Sequence, residues 1–341
     1  MIGKPKSQLS LLDSAFSKRK KRSRSDRLLQ SIDTFVDWNR FEQLCEPMYK
    51  RTTTGHPSVP IVTALKCLVL QYLYDLSDPA LEDALIDRLS FQRFTGISFE
   101  SEIPDYSTIW RFRERLIRTG LLDTVFDEIN RQLNKKNMIL KKGTLVDATL
   151  VQGARKQPSK NDKEKQNDND SPRMKARQRS QRDTEATATK KGKKWYYGYK
   201  GHIGVDQGSG IIRKYRFTTA NVHDSTEREA LMSGDEKALF GDKAYADNLL
   251  KRECRAFGIY YGILDKRTRN RPELSTKQKK LNKIKNTIRA QVERPFSHFK
   301  RQMGFRQVRY VNRVRNELHF MFLCLIENIR TGIALSTPRG G

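Results

Sequence analysis

The chain has 341 residues, 67 Lys and Arg against 39 Asp and Glu, a net charge of +28, and only 36% hydrophobic residues. That length allows two or three domains, and the charge favours a polyanionic partner, nucleic acid before an anionic membrane surface. Cys45, Cys67, Cys254 and Cys324 form no C-x-x-C pair, so a disulfide scaffold and a zinc finger are excluded and a reducing, cytoplasmic setting is expected.

Residues 1–27 are expected to form a flexible basic arm, because 18–27 (KRKKRSRSDR) hold seven bases and one acid. Residues 28–135 read as an all-α domain. Ile61, Ala64, Leu65, Leu68, Val69, Tyr72, Leu73 and Leu76 recur at helical spacing after Pro60. Ser77 and Pro79 open a second helix running to about Phe94, closed by Gly96. Asp105 or Ser107 caps a basic helix carrying Arg111, Arg113, Arg115 and Arg118, with Ile109, Phe112, Leu116 and Ile117 opposite. Helix, turn, basic helix suits a DNA-reading module and equally a small bundle with exposed arginines.

A catalytic domain is expected over 143–331, followed by a tail at 332–341. Its first strand is GTLVDATLVQ (143–152). The next 42 residues, 153–194, contain no Val, Ile, Leu, Phe, Tyr or Trp and carry 14 bases against 6 acids, which reads as a flexible basic insertion. A hairpin follows (195–206 and 211–220), then a helix from Ser225, a short strand ending at Gly241, a helix over 246–257 and a strand over 259–264. Residues 266–315 hold 17 bases against Glu273 and Glu293, and an apolar helix runs from Leu318 to Ile329. No apolar run reaches the ~18 residues of a membrane span.

Three acids stand out. Asp147 interrupts an apolar strand, Asp242 follows a later strand, and Glu293 is one of two acids in a basic run. Each alone is more simply a turn, cap or surface residue. Together, in a βββαβα series, they follow the layout of an RNase H-like core, an α/β domain with a mixed sheet flanked by helices. Clustered carboxylates need a compensating charge. Two divalent cations on hard oxygen ligands, Mg²⁺ or Mn²⁺, would supply it and promote phosphodiester chemistry. At ~100° per residue, Asn286, Arg289, Glu293 and Lys300 share one helix stripe about 60° wide. The plainer reading is an Arg–Glu pair on a solvated helix.

The spacing N-x₂-R-x₃-E-x₆-K at Asn286, Arg289, Glu293 and Lys300 resembles the signature of DDE transposases of the insertion-sequence-5 type, in which Tyr usually stands at the first position. GTLVDATLV, YYGYKGHIGVD, TTANVHDS, GDKAY and IPDYSTIWRFRERL are similar to segments of that family, in the same order. The resemblance implies Asp147, Asp242 and Glu293 as the catalytic and metal-binding triad. It implies two-metal-ion cleavage of double-stranded DNA at terminal inverted repeats, joining of the 3′-OH ends to target DNA, and a homodimer in the synaptic complex. Arg289, Lys300, Asn286, Lys200, Arg111, Arg113 and Arg115 are the expected DNA contacts. An RNase H-like nuclease or resolvase without joining, and a non-catalytic DNA-binding derivative, remain open alternatives. His202, His223 and Asp224 read as hairpin and capping residues, and Tyr196, Tyr197 and Tyr199 as sheet packing before base stacking.

Overall fold

The computed structural model describes residues 21–49, 58–98, 101–155, 183–267 and 272–337. Residues 1–138 with 321–341 form one compact unit, and 139–320 form another.

The first unit is helical: α1 (Arg24–Phe35), α2 (Trp38–Cys45), α3 (Ile61–Leu73), α4 (Asp78–Asp87), α5 (Leu89–Thr95), α6 (Tyr106–Arg118) and α7 (Leu122–Lys135), joined by the later part of the last helix, α11 (Arg313–Ser336). Its centre is α3, buried at every position except Val62. A helix apolar on all sides has to be enclosed, and α11 helps to enclose it through Phe322, whose ring lies 5.3 Å from that of Tyr72. Even Lys66 is buried, its ammonium 2.5 Å from Asp33 and 5.2 Å above the Trp38 ring.

Local signals placed several ends correctly. Ser77 Oγ accepts from Ala80 N, Asp105 Oδ1 accepts from Thr108 N at 2.7 Å, and Gly96 closes α5 with φ +74°. Other limits differ. The helix expected from Ser77 to Phe94 breaks at Arg88, whose extended backbone separates α4 from α5. The arm is shorter than 1–27, because Ser23 Oγ caps α1 and Leu29 and Ile32 anchor it in the core; residues 1–20 lie outside the described residues. The compact sheet unit ends at Phe320, and Phe322, Leu325 and Ile329, within the span expected for the catalytic domain, pack in the helical core. Helix α11 is long and apolar enough to cross a membrane, although the sequence suggested no such run, and it is mostly buried inside the protein.

The second unit is a six-stranded mixed sheet. Its strands are β1 (Thr144–Gln152), β2 (Thr187–Lys191), β3 (Lys194–Asp206), β4 (Ile212–Thr219), β5 (Ala238–Gly241) and β6 (Tyr260–Ile263). One edge of β3 pairs with β2 and then β4, and its other edge pairs with β1. These pairings are antiparallel, whereas β1–β5 and β5–β6 are parallel. Two glycines of β3 let neighbours approach: a Cβ at Gly201 would overlap the Phe320 ring, and one at Gly204 would strike the Leu231 carbonyl.

Beside the sheet lie α8 (Asn248–Ala256), α9 (Thr276–Arg289) and α10 (Glu293–Arg301). Residues 183–194, expected within a flexible loop, are instead ordered. Asp183 is buried and accepts from the Tyr199 hydroxyl at 2.6 Å, and β2 extends the sheet. Residues 156–182 of that insertion lie outside the described residues. The helix expected from Ser225 is two short 3₁₀ turns, Asp224–Glu227 and Glu229–Leu231. The helix expected through Glu293 is also broken, by a 3₁₀ turn at Ala290–Val292. Pro295 has no N–H and would clash with the carbonyl four residues earlier, so the chain restarts a helix and places the proline in its first turn.

Candidate active site

β1 and β5 run parallel with Thr144 opposite Leu239 and Leu145 opposite Phe240. Two further residues in that register set Asp147 beside Asp242, which directly follows β5. Asp147 is the fourth of the nine residues of β1, and Asp242 lies just past the carboxyl end of β5. The charges interact. Burial pushes the Asp147 carboxyl up, Arg289 and the Ala148 N–H pull it down, and Asp242 pushes it up again, leaving it above the usual carboxylate range.

Arg289, the last residue of α9, donates from Nη2 to Asp147 Oδ2 at 2.9 Å. The arginine expected on a DNA phosphate is thus tied first to the strand carboxylate. Two anchors hold α9 in place for this. Lys285 Nζ donates to the Ile263 carbonyl at 2.8 Å, and Asn282 exchanges hydrogen bonds with the Asp265 backbone. Arg289 Nε and the Tyr245 hydroxyl are buried donors with no hydrogen-bond partner among the described residues. Tyr245 feels Asp224, Asp147, Arg289 and Asp242, which places it in the same field. Its only sequence signal was its position three residues after Asp242.

Glu293 is the third expected carboxylate. It is exposed at the start of α10, and no three His, Cys, Asp or Glu side chains converge on one point among the described residues. Asp147 and Asp242 are the two expected carboxylates whose charges act on one another. Those two fit a hard divalent cation. Mg²⁺ is commonly held by one or two carboxylates, with water and substrate phosphate completing its shell. Asp242 Oδ1 accepts from Lys243 N at 2.6 Å, and its second oxygen has no hydrogen-bond partner among the described residues.

The other expected contacts divide. Asn286 is exposed on α9 and Lys300 half-buried on α10. Burial and the charges of Lys191 and Arg306 pull the Lys300 ammonium down. Arg111 is exposed, and Arg115 stacks 4.3 Å over the Tyr49 ring. Arg113 has to be corrected: it is 1% exposed and its guanidinium grips both Asp78 oxygens, at 2.8 and 3.0 Å. Position 113 lies on the flank of the Ile109–Phe112–Leu116 stripe and turns inward with it. Lys200 is corrected too, since its ammonium is held by Asp224 Oδ1 at 2.9 Å and the Val222 carbonyl at 2.6 Å. His223, rather than Asp224 or Ser225, caps the following turn.

His202 is fully buried, with Nε2 2.8 Å from Thr218 Oγ1. Burial lowers its pKa to about 4, against Asp224 and with Lys200. In the unfolded chain it would take a proton at about pH 6.5, so its contribution to stability is complete above that pH and is lost as pH falls toward 4. A His202→Gln chain is expected to lose less Tm than the parent between pH 7 and about 4.5. Equal losses would remove His202 as a source of the acid sensitivity.

Residues 17–115 match the family model described as Transposase domain (DUF772), and residues 139–329 match the Transposase DDE domain. Among solved structures, the chain is similar to the cryo-EM structure of the piggyBac transposase synaptic complex with hairpin DNA. Identity is 12%, the match covers 93% of this chain and 82% of that one, and the TM-score is 0.37.

Proposed function

The chain belongs to the transposases with a DDE domain, and from that premise we propose that it excises and joins DNA as an insertion-sequence-5 type transposase on an RNase H-like core. It would bind the terminal inverted repeats of its element, cut the phosphodiester backbone and join the 3′-OH ends to target DNA. The observation that carries this reading is the pairing of Asp147 and Asp242 on adjacent parallel strands, with Arg289 bound to the first.

Asp147 and Asp242 would hold Mg²⁺ or Mn²⁺, whose chemistry is to activate an attacking oxygen and offset charge on the leaving one. Arg289 fixes the Asp147 rotamer and puts a positive charge beside the phosphoryl group. Its Nε and the Tyr245 hydroxyl are buried donors within the same charged cluster. Glu293, which has no ion pair among the described residues, would complete the triad and a second ion's ligands. It follows directly on the 3₁₀ turn that packs against β1. Lys300 and Asn286 would contact DNA near the scissile bond, and Arg111 and Arg115 the repeat sequence. Pairing two ends requires two active sites, so the working form would be a homodimer on DNA.

The test is incubation of the full chain with Mg²⁺, DNA carrying the sequences that flank its own gene, and a supercoiled target plasmid. Cut 3′-OH ends followed by joined product are expected. Cutting without joining would reduce the chain to a nuclease, and binding without cutting would make it a DNA-binding derivative.

A further inference from the structure

β2 and β3 are joined by a two-residue turn, Gly192–Lys193, with Lys191 paired to Lys194 and Lys190 to Trp195. Gly192 takes φ +61°, which such tight turns require and glycine readily adopts. The hairpin tip therefore carries Lys190 on the face of the Trp195 indole, Lys191 and Lys194 on the other face, and Lys193 in the turn. All four lysines are exposed, and none pairs with an acid among the described residues. Trp195 is 69% exposed, with Lys190 Nζ 5.9 Å from its ring centroid.

The exposed ring stands on a hairpin that is otherwise well anchored. Tyr197 and Tyr199 donate to the Asp183 carbonyl and carboxylate, and Thr187 hydrogen-bonds Asn221. The ring is thus presented on a supported strand. A protein partner is poorly served here, because one indole among four cations offers far less apolar area than a stable interface of ~1,200 Å². A polyanion with a flat apolar face matches both features. In an intact duplex the base faces are stacked inside, so the ring can reach only an unpaired base. Lys191 also acts on Lys300 with Arg306, so the tip's positive field extends to the signature lysine.

We infer that the β2–β3 hairpin tip grips DNA at an unpaired nucleotide, with the base stacked on Trp195 and the adjoining phosphates held by Lys190 on the same face and Lys193 in the turn, Lys191 and Lys194 adding to the positive field. This deepens the proposed role and rests on it. The base would be one released from pairing where the ends are processed, and the ring would keep it from re-pairing.

The test uses the full chain in metal-free buffer with a fluorescein-labelled duplex and the same duplex carrying one extra unpaired thymine. Affinities are read by fluorescence anisotropy for the parent, Trp195→Ala and Trp195→Phe. The parent is expected to prefer the bulged DNA about tenfold, a typical worth for stacking one base. Trp195→Ala should lose that preference while binding the plain duplex as the parent does, and Trp195→Phe should keep most of it. An alanine variant that retains the preference, or a parent with none, overturns the inference while leaving the proposed function standing. Altered self-association of Trp195→Ala without DNA would move the ring to a protein contact and also overturn it. A parent chain that binds neither DNA removes both readings.

Discussion

Asp147→Asn and Asp242→Asn are each expected to slow metal-dependent end cleavage by a factor of about a thousand or more, with DNA affinity unchanged or slightly raised. Each change keeps the side chain's size but removes a hard anionic ligand. Losing about 4 kcal/mol of charge stabilisation in the transition state corresponds to roughly a thousandfold in rate. Affinity should hold because phosphate contacts from Lys and Arg dominate it, and removing an acid does not weaken them. Asp147→Asn also deprives Arg289 of its anionic partner. The two variants should therefore differ in fold stability, which a melting curve recorded beside the cleavage assay would show.

Arg113→Ala is expected to destabilise the helical unit by about 3 kcal/mol, the low end for breaking a buried pair because Asp78 is partly exposed. The alanine leaves Asp78 without its two-pronged partner and empties a volume that a 1%-exposed guanidinium fills. Tm should drop by roughly 10 °C for a unit of this size. The double change Arg113→Leu with Asp78→Leu should recover most of it, since apolar groups of similar volume can replace a buried pair. Salt dependence of DNA binding in a folded Arg113→Lys chain should match that of the parent, whereas Arg111→Ala should flatten it by about one phosphate contact.

Arg113 also marks the limit of what the sequence made legible. Arg111, Arg113 and Arg115 looked equivalent as a basic set, and only the fold brings Asp78, 35 positions earlier, under one of them. The capping residues Ser77 and Asp105 were readable because a cap acts within three residues. Asp147 and Asp242 were readable because an acid that interrupts or ends an apolar strand is costly and local. Their adjacency was not, because it depends on the parallel register of β1 and β5. Lys285 lay within the basic run 266–315, yet its ammonium is turned onto the Ile263 carbonyl and holds α9 to the sheet. Lys200 behaves similarly with Asp224. A positive side chain near a candidate site can thus orient the site rather than meet the ligand, and sequence position alone does not separate the two.

The most direct measurement is end cleavage by an Asp242→Cys chain in Mg²⁺ and in Mn²⁺. A thiolate is a poor ligand for Mg²⁺ and a better one for the softer Mn²⁺. If Asp242 and Asp147 hold the catalytic cation, the variant is inactive in Mg²⁺ and regains cleavage in Mn²⁺, with DNA binding equal in both. Cleavage at the parental rate in Mg²⁺ would contradict the assignment of Asp242 as a metal ligand.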